Sequence, residues 1–226
     1  MNLILTIACM IIQFQQMKAP SIIFMESFDY PDGMVPSCWW SEGCTPEIKN
    51  GHLFVDADKI APKAATIWLD LNLSGNLQIE FDVQIVSSSD KANNINCFFL
   101  YSDPDGLTLR STAKEREGGS YNLYHKLNGY IFTFVANGEE KSRFRFRDNP
   151  DFHLLAEDYL DSNKTEENYH VRLVKLSDRI QYWIDGNKIM DIIDDKYNPL
   201  YNTGLVGFRT WHTALWWDNL IISQLK

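Results

Sequence analysis

Leu77-Gln78-Ile79-Glu80-Phe81-Asp82-Val83-Gln84-Ile85 alternates apolar and polar side chains without a break. A strand points successive side chains to opposite faces, so this stretch offers an apolar face to a core and a polar face to water. The same alternation recurs in Tyr169-His170-Val171-Arg172-Leu173-Val174-Lys175-Leu176. Residues 179–184 and 188–193 flank Asp185-Gly186, a pair that readily takes the positive φ angles of a two-residue hairpin turn. Residues 205–211 and 215–223 supply two more strands. A short helix is conceivable only over 152–159, where a strand end fits equally well. About a dozen strands separated by Gly, Pro, Asn and Asp clusters predict an all-β sandwich. Phe81, Val83, Phe98, Leu100, Leu173, Trp183, Ile184 and Val206 are its expected core. The longest polar, glycine-bearing loop, residues 103–119, is the expected rim of any cleft.

The 226 residues are 45% hydrophobic and 23% charged, which excludes a disordered chain and suits one globular domain. No internal repeat or linker is visible after residue 20. Acidic residues outnumber Lys and Arg by 30 to 21, for a formal charge of -9. Such a surface repels phosphate backbones and anionic lipid, so neither nucleic acid nor a membrane surface is an expected partner. An aromatic content of 13%, with seven Trp and ten Tyr, fits either a β-rich core or a surface that stacks on sugars.

Residues 3–12 are apolar except for Thr6, which is the length of a signal-peptide core and too short to span a bilayer. Residues 1–19 therefore read as a signal peptide and 20–226 as a single domain, exported to the periplasm or beyond. Cys9 after Ala8 leaves lipid anchoring as an alternative. Cys38 and Cys44 could close a small loop in an oxidising compartment, whereas Cys97 reads as a small core residue. The cysteine and histidine spacings do not suit a zinc site. No cofactor is expected. At Asp103-Pro104-Asp105-Gly106, a structural calcium is the alternative to an ordinary turn.

Three segments could carry chemistry. In Glu80-Phe81-Asp82-Val83-Gln84 the alternation would point three groups into one groove, as glucanases require of their carboxylates. The third position is Gln84, which cannot protonate a leaving group. Arg143, Arg145 and Arg147 alternate likewise, so their guanidinium forks share a face and could hold the carboxylates of uronic acids, or else pair with the surplus acids. Tyr121, Tyr124, His125 and Asn128 precede them, and Phe152-His153 follows. In Gly207-Phe208-Arg209-Thr210-Trp211-His212, Arg209 and Trp211 fall on one face, where stacking plus bidentate bonding suits a sugar ring. Trp39-Trp40-Ser41-Glu42-Gly43 raises the same choice between core and site.

Taken together and in this order, these segments resemble the YesU-like family. The matching pieces are Trp39 with Glu42-Gly43, Tyr121 with Tyr124-His125 and Asn128, and Arg147 with Phe152-His153-Leu154. Ile184-Asp185-Gly186-Asn187 and Gly207-Phe208-Arg209 follow. Trp211-His212 departs from the family's usual sequel to its arginine. The resemblance implies a concanavalin A-like jelly roll of two antiparallel sheets in a bacterial protein. It also implies a role beside rhamnogalacturonan-degrading enzymes, with an oligosaccharide or polysaccharide as partner.

β-Elimination at a uronate needs a cation on the carboxylate, from Arg147 or Arg209, and a base at C5, from His125, His153 or a Tyr. Hydrolysis needs two carboxyl groups about 5–9 Å apart, and Glu42 has no evident partner. His125, His153 and Glu42 are thus the candidate catalytic residues. Trp39, Tyr121, Tyr124, Asn128, Arg147, Arg209 and Trp211 are the candidate sugar contacts. Acid–base glycan cleavage is the expected function of this free-standing domain; a lectin-like binder without catalysis is the alternative, since the fold hosts both.

Overall fold

In the computed structural model, which describes residues 19–89, 94–136, 141–160 and 168–226, the alternating 77–85 stretch is the centre of a twelve-residue strand. Fifteen strands are described. They are β1 (Ser21–Glu26), β2 (Trp39–Gly43), β3 (Glu47–Lys49), β4 (His52–Asp56), β5 (Ala64–Ser74), β6 (Leu77–Ser88), β7 (Asn94–Ser102) and β8 (Asn128–Val135), followed by β9 (Ser142–Asn149), β10 (His153–Leu160), β11 (Asn168–Leu176), β12 (Arg179–Ile184), β13 (Asn187–Ile193), β14 (Thr203–Trp211) and β15 (Thr213–Gln224). The first sheet runs β13-β12-β11-β6-β15-β4-β3, with β1 also paired to β15; the second runs β10-β9-β8-β7-β14-β5-β2. Every pairing is antiparallel, as the all-β sandwich reading expected. The 152–159 stretch is a strand, β10.

The inward side chains of both sheets meet in one apolar layer. Phe81 from β6 and Trp217 from β15 face Phe208 from β14 and Trp39 from β2, with Phe208 stacked on Trp217 at 5.3 Å and on Trp39 at 5.9 Å. Burying rings of this size stabilises the sandwich by about 1.5–3 kcal/mol each. Asp185 and Gly186 both have positive φ (49° and 77°) and join β12 to β13, the two-residue turn expected there.

Three expectations change. Trp183 is not core: in β12 the inward set is Ile180, Tyr182 and Ile184, so Trp183 faces outward with the Arg172 guanidinium 4.2 Å from its ring. Phe98 is buried, but beneath a loop on the outer face of the second sheet rather than between the sheets. Cys38 and Cys44 are both free thiols. They bracket β2, whose extended backbone holds residues six apart about 20 Å from each other, far beyond disulfide reach. The signal peptide and Cys9 lie outside the described residues. Asp103 uses its carboxylate to accept from the Asp105 amide (2.9 Å), the ordinary turn, and no metal-holding group of three His, Cys, Asp or Glu occurs among the described residues. None of the described helices is long and apolar enough to cross a membrane.

Candidate functional site

One register line crosses the outer face of the second sheet through all seven strands. Glu42 on β2 pairs with Thr66 on β5, Thr66 with Arg209 on β14, and Arg209 with Asn96 on β7. Asn96 pairs with Thr133 on β8, Thr133 with Arg145 on β9, and Arg145 with Glu157 on β10. This polar line separates Trp68, Phe98 and Ile131 on one side from Trp211, Val135 and Arg143 on the other.

On one side of the line the face is apolar and covered. Residues 103–128, with short 3₁₀ turns at Ala113–Arg116 and Tyr121–Tyr124, fold over Trp68, Phe98, Tyr101 and Ile131 and add Leu109, Tyr124 and Leu127 to that cluster. A buried ion pair pins the cover. Arg116 donates Nε to Glu42 Oε1 at 2.9 Å and also bonds Thr112 and the Leu109 carbonyl, while Trp68 Nε1 donates to Glu42 Oε2 at 3.1 Å. Burial holds the Glu42 carboxyl above its ordinary pKa although Arg116 pulls it down. Gly43 makes the close approach: at φ 83° its amide bonds the Glu117 carbonyl, and a Cβ there would lie 2.1 Å from the Ala64 carbonyl oxygen.

On the other side the face is open. A cavity of about 530 Å³ is lined by Arg143, Arg145, Arg147 and Arg209, with Asn96, Thr133, Tyr121, Phe152 and Trp211 among its other walls, and no Asp or Glu among the lining residues. The arginine alternation works as read: Phe144 and Phe146 turn inward while the three guanidinium groups face the cavity. Arg145 pairs with Glu157. Arg147 instead lies over Phe152, 4.3 Å from its centroid. Arg209 is 2% exposed, lies 4.3 Å from the Tyr121 ring and 5.7 Å from that of Tyr124, and donates Nη2 to the Gly119 carbonyl at 3.0 Å. No described carboxylate reaches Arg209 as an ion pair, and its buried Nε has no partner. The buried Tyr121 hydroxyl has the Thr133 hydroxyl as its neighbour. Unpartnered guanidinium donors on both Arg209 and Arg143 around one cavity suit a polar ligand, because such groups are otherwise satisfied inside proteins.

The structure thus brings Tyr121, Arg147, Arg209 and Trp211 together and places six other candidates outside the cavity wall. Trp39 is packed between the sheets. Tyr124 is wholly buried under the loop. Asn128 opens β8 opposite Ser102, outside the cavity wall. Glu42 is bonded to Arg116 and Trp68 and does not line the arginine cavity. His153 follows the other parity of the sheet, 3.6 Å from Asp148 and stacked on Tyr197 at 4.4 Å, away from the arginines. His125 stacks on Phe152 at 3.9 Å behind the wall, with a buried, unpartnered Nε2. Asn96 and Thr133 were missed, because only strand register carries them to the cavity. The Glu80-Asp82 face is on the first sheet, bonded to His170 and Asn219, and has no part in this cavity.

Burial, followed by the charges of Arg209 and Arg147, pushes the His125 pKa down to about 4. Its imidazole is therefore neutral at pH 6, and an NMR titration should show its ring resonances moving only near pH 4. Because this folded value lies below the unfolded value of about 6.5, the unfolded chain takes up the proton first as pH falls. His125 thus lowers stability progressively between those two values. A bound anion screening the arginines should shift its titration upward; a titration near 6.5 without ligand would mean the ring is not behind this wall.

A two-sheet jelly-roll sandwich with a cationic cavity on one outer sheet face is the class of protein defined here. Residues 60–220 match the family described as a domain of unknown function, DUF6250, and the chain belongs to it. The fold is similar to that of a Bacillus subtilis protein of unknown function with a galectin-like fold, at 16% identity and a TM-score of 0.76, covering 90% of this chain and 96% of that one. It is also similar to the carbohydrate-binding module CBM66 from Bacillus subtilis (16% identity, TM-score 0.59, 83% and 96% covered). The alginate lyase Aly36B is a third such structure (15% identity, TM-score 0.59, 92% and 98% covered). A stretch of 96 residues is 30% identical to fusicoccadiene 8-ol C-16-hydroxylase of Phomopsis amygdali, covering 41% of this chain. The match spans only 18% of that protein, too little to carry its activity across.

Proposed function

We propose that this chain recognises acidic oligosaccharides of the pectic type, taking a uronate carboxylate between Arg147 and Arg209. The observation that carries the reading is Arg209, a buried guanidinium in an open cavity with no carboxylate of its own. Burying a charge without its counter-ion is costly, and an incoming carboxylate relieves that cost with charge-assisted bonds. Trp211, 40% exposed at the rim, supplies an aromatic face for a sugar ring. Sugar-binding and sugar-cleaving proteins among the similar folds support the ligand class, and the YesU-like resemblance supports the rhamnogalacturonan setting. Export, expected from residues 3–12, belongs to the same proposal.

Cleavage by β-elimination is the second reading. Its favouring observation is the buried Tyr121 hydroxyl beside the two arginines: in a syn-elimination it gives its proton to the leaving oxygen as it takes the C5 proton, and ends protonated as it began. Hydrolysis lacks its two carboxyl groups in this cavity. The test is incubation with pectic and rhamnogalacturonan oligosaccharides, read by calorimetry, product mass and ultraviolet absorbance. Binding heat without product is the expected result. Unsaturated products that disappear in Tyr121→Phe would establish the lyase instead, and silence in all readouts would remove both readings.

A further inference from the structure

The cavity holds its uncompensated cations in two places rather than one. The inner place is Arg209 with Arg147, whose guanidinium groups lie on the Tyr121 and Phe152 rings, themselves 5.2 Å apart in an edge contact. The outer place is Arg143. It lies four residues from Arg147 on the same strand face, so their Cα atoms are about 13 Å apart. Between them stands Arg145, neutralised by Glu157. Arg143 forms no salt bridge with a described acid, although Glu157, bonded to Arg145, also feels its charge, and its Nε is buried without a partner. Across the sheet, Val135 pairs directly with Arg143 and lines the cavity with it. Trp211 lies one alternation beyond Arg209 on β14, as Arg143 lies one beyond Arg145 on β9. The outer level of the cavity therefore combines an aromatic platform, an apolar floor and one cation without a salt bridge of its own.

One carboxylate cannot occupy both places. A guanidinium–carboxylate bond is about 2.8 Å long, and Arg147 is turned onto Phe152 with a neutralised pair between it and Arg143. Resting on the uronate reading above, we propose that Arg143 forms a second anion subsite, so that the ligand is an oligosaccharide carrying two carboxylates on different rings. Arg143 is then the residue that selects charged oligomers over single uronates.

The test is a calorimetric length series of galacturonate monomer, dimer, trimer and tetramer on the full chain, with neutral galactose oligomers of equal length as control. Affinity should rise about tenfold or more once the chain is long enough to reach Arg143. Arg143→Met should remove that rise, whereas Arg209→Met should weaken every length. Equal affinity for all galacturonates, or a rise that survives Arg143→Met, overturns the second subsite and leaves the uronate reading standing. A matching rise with the neutral galactose series would also overturn it, because ring contacts and not charge would be the cause. No heat with any galacturonate removes the uronate reading and this inference together. The wild-type series needs no variant to fold.

Discussion

Arg116→Met should lower stability by about 3–5 kcal/mol, the usual cost of leaving one member of a buried ion pair alone. For a chain of this size that is a fall in Tm of roughly 6–20 °C. Glu42 would keep neutral partners such as the Trp68 indole but no cation, in a setting where neither side chain of the original pair is more than 3% exposed. The double variant Arg116→Met with Glu42→Gln should recover much of the loss, because no uncompensated carboxylate remains and the amide oxygen can still accept from Trp68. Thermal melts of the three proteins decide the matter. If the double variant is as unstable as the single one, the loop is held by its apolar underside and the ion pair is incidental.

Arg209→Met should do the opposite to stability and far more to binding. Arg209 has no carboxylate that its removal would strand; it gives up one bond to the Gly119 carbonyl, worth about 1 kcal/mol, and relieves a buried charge. The Tm should stay near wild type or rise. Affinity for acidic oligosaccharides should fall at least about thirtyfold, the lower end of the 2–5 kcal/mol expected when a buried charge contact is cut at an interface. Calorimetry and melting measured on the same preparation separate the two effects. A drop in Tm as deep as that of Arg116→Met would make Arg209 a structural post and undo its assignment to the ligand.

Those opposite expectations for two buried arginines explain why part of the site was legible in the sequence and part was not. Period-two alternation is a local property, so the face shared by Arg143, Arg145 and Arg147 could be read from a single strand, as could Arg209 with Trp211. Which sheet face a strand presents to the core is not local. Trp39 and Trp40 are adjacent, and only the register of β2 against β5 sends the first inward beside Phe208 and the second outward beside Trp68. The same rule forbids Trp183 and Ile184 from both being core. Glu42 found its partner 74 residues away in a polar stretch that looks solvated on its own. His125 and His153 lie close in sequence, yet strand parity and the loop put them on different sides of the second sheet.

The order of strands also bears on how this protein is made. β14 lies between β7 and β5 in one sheet, and β15 lies between β6 and β4 in the other. Until these two strands leave the ribosome, the second sheet exists only as two parts and the first as two parts plus β1, with unpaired edges and no strand to join them. Earlier hairpins such as β12–β13 can form as they emerge, but the apolar layer, which needs Phe208 and Trp217, closes last. Contacts this distant in sequence make folding slow and leave sticky edges waiting meanwhile. Synthesis, rather than the finished protein, is where this architecture is most exposed to aggregation, and a chaperone that shields strand edges would act before the last two strands and have little to hold after them.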